Sequence, residues 1–193
     1  MIPDFDGGNT TGKRRVNWAI YAACPKEQPL NGVESVAPGS VTGAAYQEFQ
    51  QLLAEHFPPS ARALFAHSRR EDISIQPIYD GFVDSYVGQR TLLIGDAGTI
   101  TRPHTASGAT KALEDALALE ALANNATDLS DLLARYDAER CGQARRVGEI
   151  GKRIGKAQVT DTPDWAAMTP ASFTAWTAAT LAGDDLYLYG ETT

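Results

Sequence analysis

The segment that decides the fold runs from Thr91 to Ala123 and reads TLLIGDAGTITRPHTASGATKALEDALALEALA. Its first four residues are apolar or β-branched, which predicts a buried strand over Thr91–Ile94. A Gly-Asp turn and a loop that contains proline follow, and the small and apolar residues from Gly108 onward predict a helix. Asp96 is therefore expected at the carboxyl end of a strand, which is where open α/β sheets hold their ligands.

This arrangement indicates a binding site for a polar, electron-rich ligand. The carboxylate of Asp96 can accept hydrogen bonds from a sugar diol. The first N–H groups of the helix that begins at Gly108 lack partners within the helix and carry the positive end of its dipole. Both groups are expected at the same mouth, which suits a ligand such as a redox ring linked to a nucleotide.

The spacing resembles the second FAD fingerprint of the single-component, FAD-dependent aromatic hydroxylases, the family typified by para-hydroxybenzoate hydroxylase. The matching residues are Gly95-Asp96-Ala97, Arg102-Pro103-His104, Ala106 to Ala112 and Asp115-Ala116. The Arg-Pro-His element is most similar to the 2,6-dihydroxypyridine hydroxylase branch. Residues near the start of the chain resemble a substrate-domain strand of that branch: Ile2-Pro3, Arg14 to Trp18 and Tyr21. Many family members have histidine where this chain has Thr99, so the resemblance carries no role to that residue.

The resemblance implies an α/β (α+β) fold, the C-terminal portion of an FAD/NAD(P)-binding monooxygenase fold. Such a portion contains part of a substrate sheet, a strand-loop-helix of the FAD domain and the C-terminal helices. The implied function is hydroxylation of a small aromatic or hydroxypyridine-type substrate, with FAD as cofactor and NAD(P)H and O2 as co-substrates.

The resemblance also implies roles for individual residues. The residues expected to contact FAD are those of the fingerprint: Gly95, Asp96, Pro103, Ser107, Gly108, Ala109 and Thr110. The residues expected to line the substrate pocket belong to the substrate strands: Trp18, Tyr21, Ile78 and Tyr79. His104 is the candidate for a catalytic role, although a histidine in such a position is more often a structural residue that forms hydrogen bonds.

One motif of the family is absent from the sequence. The family begins with G-x-G-x-x-G, which holds the FAD pyrophosphate at a helix start, and these 193 residues contain no such motif. The chain is therefore interpreted as the C-terminal half of such an enzyme, and whether it is an enzyme by itself stays open. The alternative is a non-catalytic fragment or interaction module that pairs with a separately encoded N-terminal half or with a second copy.

Other kinds of site receive less support from the sequence. Ser107, His104 and Asp96 include the residue types of a nucleophile triad, but no G-x-S-x-G elbow presents the serine, which argues against a hydrolase. Cys24 and Cys141 lack the spacing of metal ligands, so no metal site is predicted. They fit reduced thiols of a cytoplasmic protein better than a disulfide framework.

Composition and charge exclude several function classes. The chain is 43% hydrophobic and 21% charged, as expected of an ordinary globular protein. Its net charge of -7 argues against binding to nucleic acid or to a membrane surface, because both are polyanions. No apolar run approaches the length that spans a bilayer.

The remaining patterns predict the organisation of the chain. Three regions are expected: a partial substrate sheet over 1–90, an FAD-domain segment over 91–127 and a helical region over 128–193. Strands are predicted over 16–21 and 73–79, helices over 44–57, 61–66 and 129–157, and an irregular loop over 25–42. A packed stripe is predicted on the fingerprint helix: Ala112, Ala116, Leu119 and Ala123. Basic residues from Arg140 to Lys156 are interpreted as a solvated helix face, the alternative being a contact surface.

Overall fold

The computed structural model describes residues 1–32 and 34–181. Its helices are α1 (Gly43–His56), α2 (Pro59–Phe65), α3 (Gly108–Ala123), α4 (Leu129–Gly155) and α5 (Pro170–Leu181). Its paired strands are β1 (Gly81–Phe82) and β2 (Thr99–Ile100), with short 3-10 turns at Arg70–Asp72, Gly95–Ala97, Pro103–Thr105 and Trp165–Ala167. A π-helical turn, Lys156–Thr160, follows α4. Helix and strand are mixed, which confirms the predicted fold class.

The predicted helices are confirmed, and their ends have identifiable causes. The side chain of Thr42 accepts a hydrogen bond from the amide of Ala45 and caps α1, while Pro58 follows its last turn. Asp128 caps α4 by accepting from the amide of Asp131 at 2.9 Å. None of the helices in the described ranges is long and apolar enough to cross a membrane.

The three strand predictions are wrong, because these segments do not form strands in the structure. Residues 91–94 are extended but pair only through an isolated bridge between Val87 and Leu92, and residues 73–79 only through one between Ile75 and Val36. Residues 16–21 carry no bridge at all in the described structure. An extended segment becomes a strand only where a neighbour supplies a ladder of hydrogen bonds, and such a ladder is seen only between β1 and β2 in the described ranges.

The predicted alternation of side chains is partly retained without the strands. Ile73 and Ile75 point inward and pack against a core cluster formed with residues of α1 and of the irregular loop. The buried members of this cluster are Leu30, Val36, Val41 and Ala45. Burial of apolar side chains therefore orders this region where backbone pairing does not.

A second core joins α3, α4 and the extended segment before the Gly-Asp turn. Tyr86 and Tyr136 are fully buried in it beside Leu122 and Ala144. The hydroxyl of Tyr136 donates to the carbonyl of Leu93 at 3.0 Å, which attaches the extended segment to α4. This core fixes the position of the fingerprint turn that follows.

The predicted packed stripe of α3 is observed in part, because Ala112 lies against Gly95 and Leu119 packs against the second core. Ala116 and Ala123 are exposed, whereas the buried positions of the helix are Lys111, Asp115 and Leu122. The helix turns two charged side chains inward because each finds charged neighbours there.

Aromatic residues also occur in the C-terminal region of the chain. Trp165 and Trp176 pack against each other, and Tyr187 and Tyr189 lie outside the described residues.

Glycines let α4 approach the loop that carries the fingerprint. Gly148 lies under the ring of Phe82, and Gly151 lies beside the backbone of Arg102. Gly155 faces His104, where an added Cβ would lie 3.1 Å from the imidazole. A side chain at Gly148 would displace Phe82 and one at Gly155 would crowd His104, whereas a Cβ at Gly151 would make ordinary contacts at 3.6 Å.

We predict opposite consequences for two alanine substitutions in α4. Gly148→Ala places a methyl group into the ring of Phe82, whereas Gly142→Ala meets nothing within 4 Å. Both gain the same helix propensity, so the free energy of unfolding of Gly148→Ala should lie about 1–3 kcal/mol below that of Gly142→Ala. Urea unfolding measures both values. Equal stabilities would contradict the close contact between Phe82 and α4.

Candidate functional site

The turn Gly95–Ala97 is held against α3 in a conformation that requires glycine. Gly95 has a φ of +62°, in the left-handed region that disfavours side chains. A Cβ at this position would lie 3.1 Å from the Cβ of Ala112. Because backbone conformation and space both exclude a side chain, the turn packs directly on the first turns of α3 and carries Asp96 with it.

Asp115 holds this turn by a buried carboxylate. The amide of Gly95 donates to one of its oxygens at 2.9 Å, and Nε of Arg140 donates to the other at 2.7 Å. Arg140 also donates to Glu114 and to the side chain of Gln143. Asp115 thus joins the fingerprint turn, α3 and α4, and we call these three groups (Gly95 amide, Asp115, Arg140) the Asp115 clamp.

Lys111 lies between the clamp and Asp96. Its side chain is fully buried, with Nζ 3.9 Å from a carboxylate oxygen of Asp96, and Nζ forms no hydrogen bond within the described structure. Burial lowers the pKa of the Lys111 ammonium, while the nearby carboxylates of Asp115 and Asp96 act in the opposite direction. The side chain of Asp96 itself is 72% exposed, so its carboxylate is open to a ligand.

The N-terminus of α3 presents unpaired amides next to Asp96. Gly108, Ala109 and Thr110 occupy its first turn, and their N–H groups have no partner inside the helix. Ser107 does not share this surface, because it is buried and its hydroxyl donates to the carbonyl of Thr105 at 2.9 Å. Of the predicted FAD residues, Asp96 is therefore exposed beside the first turn of α3, where its carboxylate lies 3.9 Å from Nζ of Lys111, whereas Gly95 is buried.

The Arg-Pro-His element forms a rigid link on the other side of α3. Arg102 donates to both oxygens of Asp80, at 2.8 to 3.1 Å. The turn Pro103–Thr105 then leads into Ala106, which has a left-handed φ of 53°, and so into α3. Because its guanidinium is held by a bidentate ion pair, the link has little freedom to move.

His104 is enclosed rather than hydrogen-bonded. Its ring lies 4.7 Å from the ring of Tyr21, and neither ring nitrogen has a hydrogen-bond partner in the described part of the chain. Burial lowers the pKa of His104, and the charge of Arg102 lowers it further. The expectation of a hydrogen-bonding structural histidine is therefore wrong. The nucleophile triad is not formed either, because Ser107 bonds to Thr105 instead.

A cavity of about 880 Å³ opens beside this link. It is lined by all four predicted substrate residues and by Pro103. The four are Trp18, Tyr21, Ile78 and Tyr79. Asp96 and the first turn of α3 are not part of its wall, so the structure shows two neighbouring surfaces connected by the Pro103–Thr105 turn.

Sequence reasoning misplaced one member of the charged network, Arg140, and gave no role to two others, Lys111 and Asp115. Arg140 was expected on a solvated face but is buried, because Asp115 and Glu114 supply its partners; this corrects the expectation for that one residue. Asp115 was recognised in the fingerprint without a function. The spacing of Lys111 and Asp115, which lie one helical turn apart on the same face of α3, was the available signal. The described residues contain no His, Cys, Asp and Glu group that could hold a metal ion.

Comparison with known proteins assigns the chain to a family. A family model described as "FAD binding domain" matches residues 21–149, which include the fingerprint turn, the link and most of α4. This chain belongs to the FAD binding domain family. The FAD-dependent aromatic hydroxylase family indicated by the fingerprint is thereby confirmed.

Individual proteins are similar to this chain over part of their length. An FAD-dependent urate hydroxylase of Klebsiella oxytoca is 31% identical over 119 residues, which are 62% of this chain and 28% of that protein. An FAD-dependent urate hydroxylase of Klebsiella pneumoniae is 39% identical over 56 residues, which are 29% of this chain and 15% of that protein. The chain thus spans less than a third of the length of these relatives.

Solved structures of other proteins are also similar to part of this chain. The structure of 2,6-dihydroxypyridine-3-hydroxylase from Arthrobacter nicotinovorans aligns with a TM-score of 0.55 and 27% identity, over 64% of this chain and 30% of that one. Klebsiella pneumoniae HpxO, complexed with FAD and uric acid, aligns with a TM-score of 0.52 over 72% of this chain and 35% of that one. At 24% identity the HpxO similarity shows the fold alone.

The Asp115 clamp generates a prediction for stability. Asp115→Asn removes the buried carboxylate of the clamp and leaves the buried guanidinium of Arg140 with Glu114, at 3.3 Å, as its charged partner. Loss of one partner of a buried ion pair should lower the free energy of unfolding by about 3–5 kcal/mol. The matched control is Asp72→Asn, which removes an Asp–Arg pair of the same chemistry from the surface. That change should have little effect, because solvent screens exposed pairs. Urea unfolding of both variants is the measurement, and equal losses would contradict the structural role of the clamp.

Proposed function

We propose that this chain supplies the flavin-ring side of the FAD site of a monooxygenase that hydroxylates an aromatic or hydroxypyridine-type substrate. NAD(P)H and O2 are the proposed co-substrates. The observation that carries the proposal is the exposed carboxylate of Asp96, held beside the first turn of α3 by the Asp115 clamp. The family membership supports FAD as the ligand of this surface.

The residues present fit one part of FAD. The hydroxyl groups of its ribityl chain are donors, and Asp96 offers an exposed carboxylate to accept from them. The amides of Gly108, Ala109 and Thr110 suit the oxygen-bearing, electron-rich side of the ring system. The phosphates require further donors, because no G-x-G-x-x-G loop occurs in the sequence.

In this proposal the protein positions groups and excludes water, while bound FAD supplies the redox and oxygen chemistry. The Asp115 clamp fixes where Asp96 lies. Pro103 connects the surface for FAD to the cavity, so a substrate in the cavity lies next to the link. Trp18, Ile78 and Tyr79 provide the cavity wall.

His104 acts on the cavity through Tyr21. Because its pKa is lowered by burial, the ring is neutral near pH 7, and its contact with Tyr21 supports that side chain at the cavity wall. We assign His104 a positioning role on this basis. A cytoplasmic location is proposed as well, supported by the two free cysteines, Cys24 and Cys141.

The test of the FAD site is a pair of aspartate variants. The purified chain should bind FAD weakly, because the donors for the pyrophosphate are absent, and Asp96→Asn should weaken this binding about ten- to a hundredfold through loss of a charged hydrogen bond. Asp161→Asn is the control, because Asp161 is also 72% exposed and also lies near a lysine, Lys156. Quenching of flavin fluorescence measures the affinities.

The melting temperature of both variants separates a binding role from a structural one. Asp96→Asn should leave it close to that of the unaltered chain, since the side chain is exposed. A lowered melting temperature with unchanged FAD affinity would reduce Asp96 to a turn residue. An equal loss of FAD affinity in the two variants would show that the FAD site does not lie on this surface.

A second candidate function, an interaction module that pairs with another polypeptide, is favoured by the outer face of α3. Leu113 and Leu117 lie one turn apart on this face and are 60% and 54% exposed. Exposed apolar pairs of this kind favour association. The proposed partner is an N-terminal half that carries the phosphate loop, or a second copy of the chain.

Polar substitutions on this face test the second candidate. The chain should sediment as a dimer or larger species at micromolar concentration, and a Leu113→Gln, Leu117→Gln double variant should shift it toward monomer. Leu129→Gln, another exposed leucine outside α3, serves as the control and should change nothing. A monomeric unaltered chain would count against self-association, and an unchanged dimer in the double variant would place the contact elsewhere.

A further inference from the structure

The cavity beside Pro103 is unusual, for a site that binds small molecules, in the charged side chains that line it. Among the side chains that line it in the described structure there is no lysine, arginine or histidine. The charged group that it does contain is Glu48 on α1, whose carboxylate accepts from the backbone amides of Lys26 and Glu27 at 3.0 and 3.4 Å. These bonds fix a negative charge in the wall.

The aromatic residues of the wall offer ring faces rather than polar ends. Trp18 donates from its indole nitrogen to the hydroxyl of Ser68 at 2.8 Å. The hydroxyl of Tyr46 donates to the carbonyl of Ser68, and that of Tyr79 to the carbonyl of Leu30, each at 3.4 Å. Because these polar groups already have partners, an occupant meets mainly π surface and aliphatic carbon.

Tyr21 is the exception among these aromatic residues. Its hydroxyl has no hydrogen bond within the part of the chain that the structure describes, and the side chain is 45% exposed. The ring is supported from behind by His104. Among the aromatic residues of the wall, Tyr21 therefore offers the available hydroxyl, which can donate to or accept from a polar group of an occupant. The wall also contains three smaller polar side chains: Asn31, Ser74 and Gln76.

The cavity has room for an occupant larger than one ring. A cavity of about 150 Å³ already holds benzene, and small-molecule sites commonly measure about 300–1,000 Å³. The volume of about 880 Å³ falls in the upper part of that range. A cavity of this volume accommodates two or more rings, or a ring with a long apolar substituent, in apolar contact with its wall.

We propose that this cavity binds an uncharged, multi-ring aromatic molecule with one hydroxyl or carbonyl group, which pairs with Tyr21, and that it selects against aromatic anions. Burial of a carboxylate here would leave it without a cation and near Glu48, which is unfavourable on both counts. In treating this molecule as the substrate, the inference rests on the proposed function and narrows its substrate class.

The test compares three probes by isothermal titration of the purified chain at neutral pH, without flavin. 2-Naphthol has two rings and a hydroxyl, 2-naphthoate has the same rings with a carboxylate, and phenol has one ring. We expect 2-naphthol to bind, and 2-naphthoate and phenol each to bind about tenfold or more weakly. Binding of 2-naphthoate as tight as that of 2-naphthol would overturn the proposal.

Two variants and one control variant test which residues of the cavity determine the preference for 2-naphthol. Glu48→Gln keeps an oxygen for the amides of Lys26 and Glu27 but removes the charge, so it should reduce the preference for 2-naphthol over 2-naphthoate. Glu55→Gln, an exposed acid on the same helix and outside the cavity, should leave the preference unchanged. Tyr21→Phe should weaken 2-naphthol binding and leave naphthalene binding unchanged.

The outcomes separate this inference from the proposed function. If 2-naphthol fails to bind to a chain with a folded circular dichroism spectrum, or if Glu48→Gln leaves the preference intact, the inference is overturned. FAD affinity is measured separately from these titrations. Failure of the chain to bind FAD would count against the proposed function and would leave the cavity preference standing.

Discussion

The buried carboxylate of Asp115 determines where the fingerprint turn lies. It accepts from the amide of Gly95 and from the guanidinium of Arg140, so one side chain joins an irregular turn to two helices. A buried charge is tolerated only when it is paired and hydrogen-bonded, and both conditions are met here. The exposure of Asp96 depends on this arrangement, because the turn that carries it has little pairing of its own.

The second constraint is the close approach between α4 and the loop from Arg102 to Thr105. Gly155 permits it, and the ion pair between Arg102 and Asp80 fixes the loop. The same loop leads into α3 and contributes Pro103 to the cavity. It therefore holds the amides of α3 in a fixed position relative to the cavity wall. A site for a cofactor and a site for its substrate require such a fixed relation.

Part of this was predictable from the sequence. The helices followed from apolar periodicity and from caps such as Asp128, and the spacing of the fingerprint correctly placed its Gly-Asp turn against the start of α3. The strands over 16–21, 73–79 and 91–94 were not correctly predicted, since a strand depends on a partner that local pattern does not reveal. Arg140 was placed in solvent because its buried partners, Glu114 and Asp115, are 26 and 25 residues away in sequence.

Hydrogen exchange of individual backbone amides, with and without FAD, tests the central claim most directly. The account predicts slow exchange at Gly95 in the chain alone, because that amide is buried against Asp115. It predicts fast exchange at Ala109 and Thr110 that becomes slow when FAD is added at saturating concentration. Fast exchange at Gly95, or protection by FAD of some other segment while Ala109 and Thr110 stay unprotected, would contradict it.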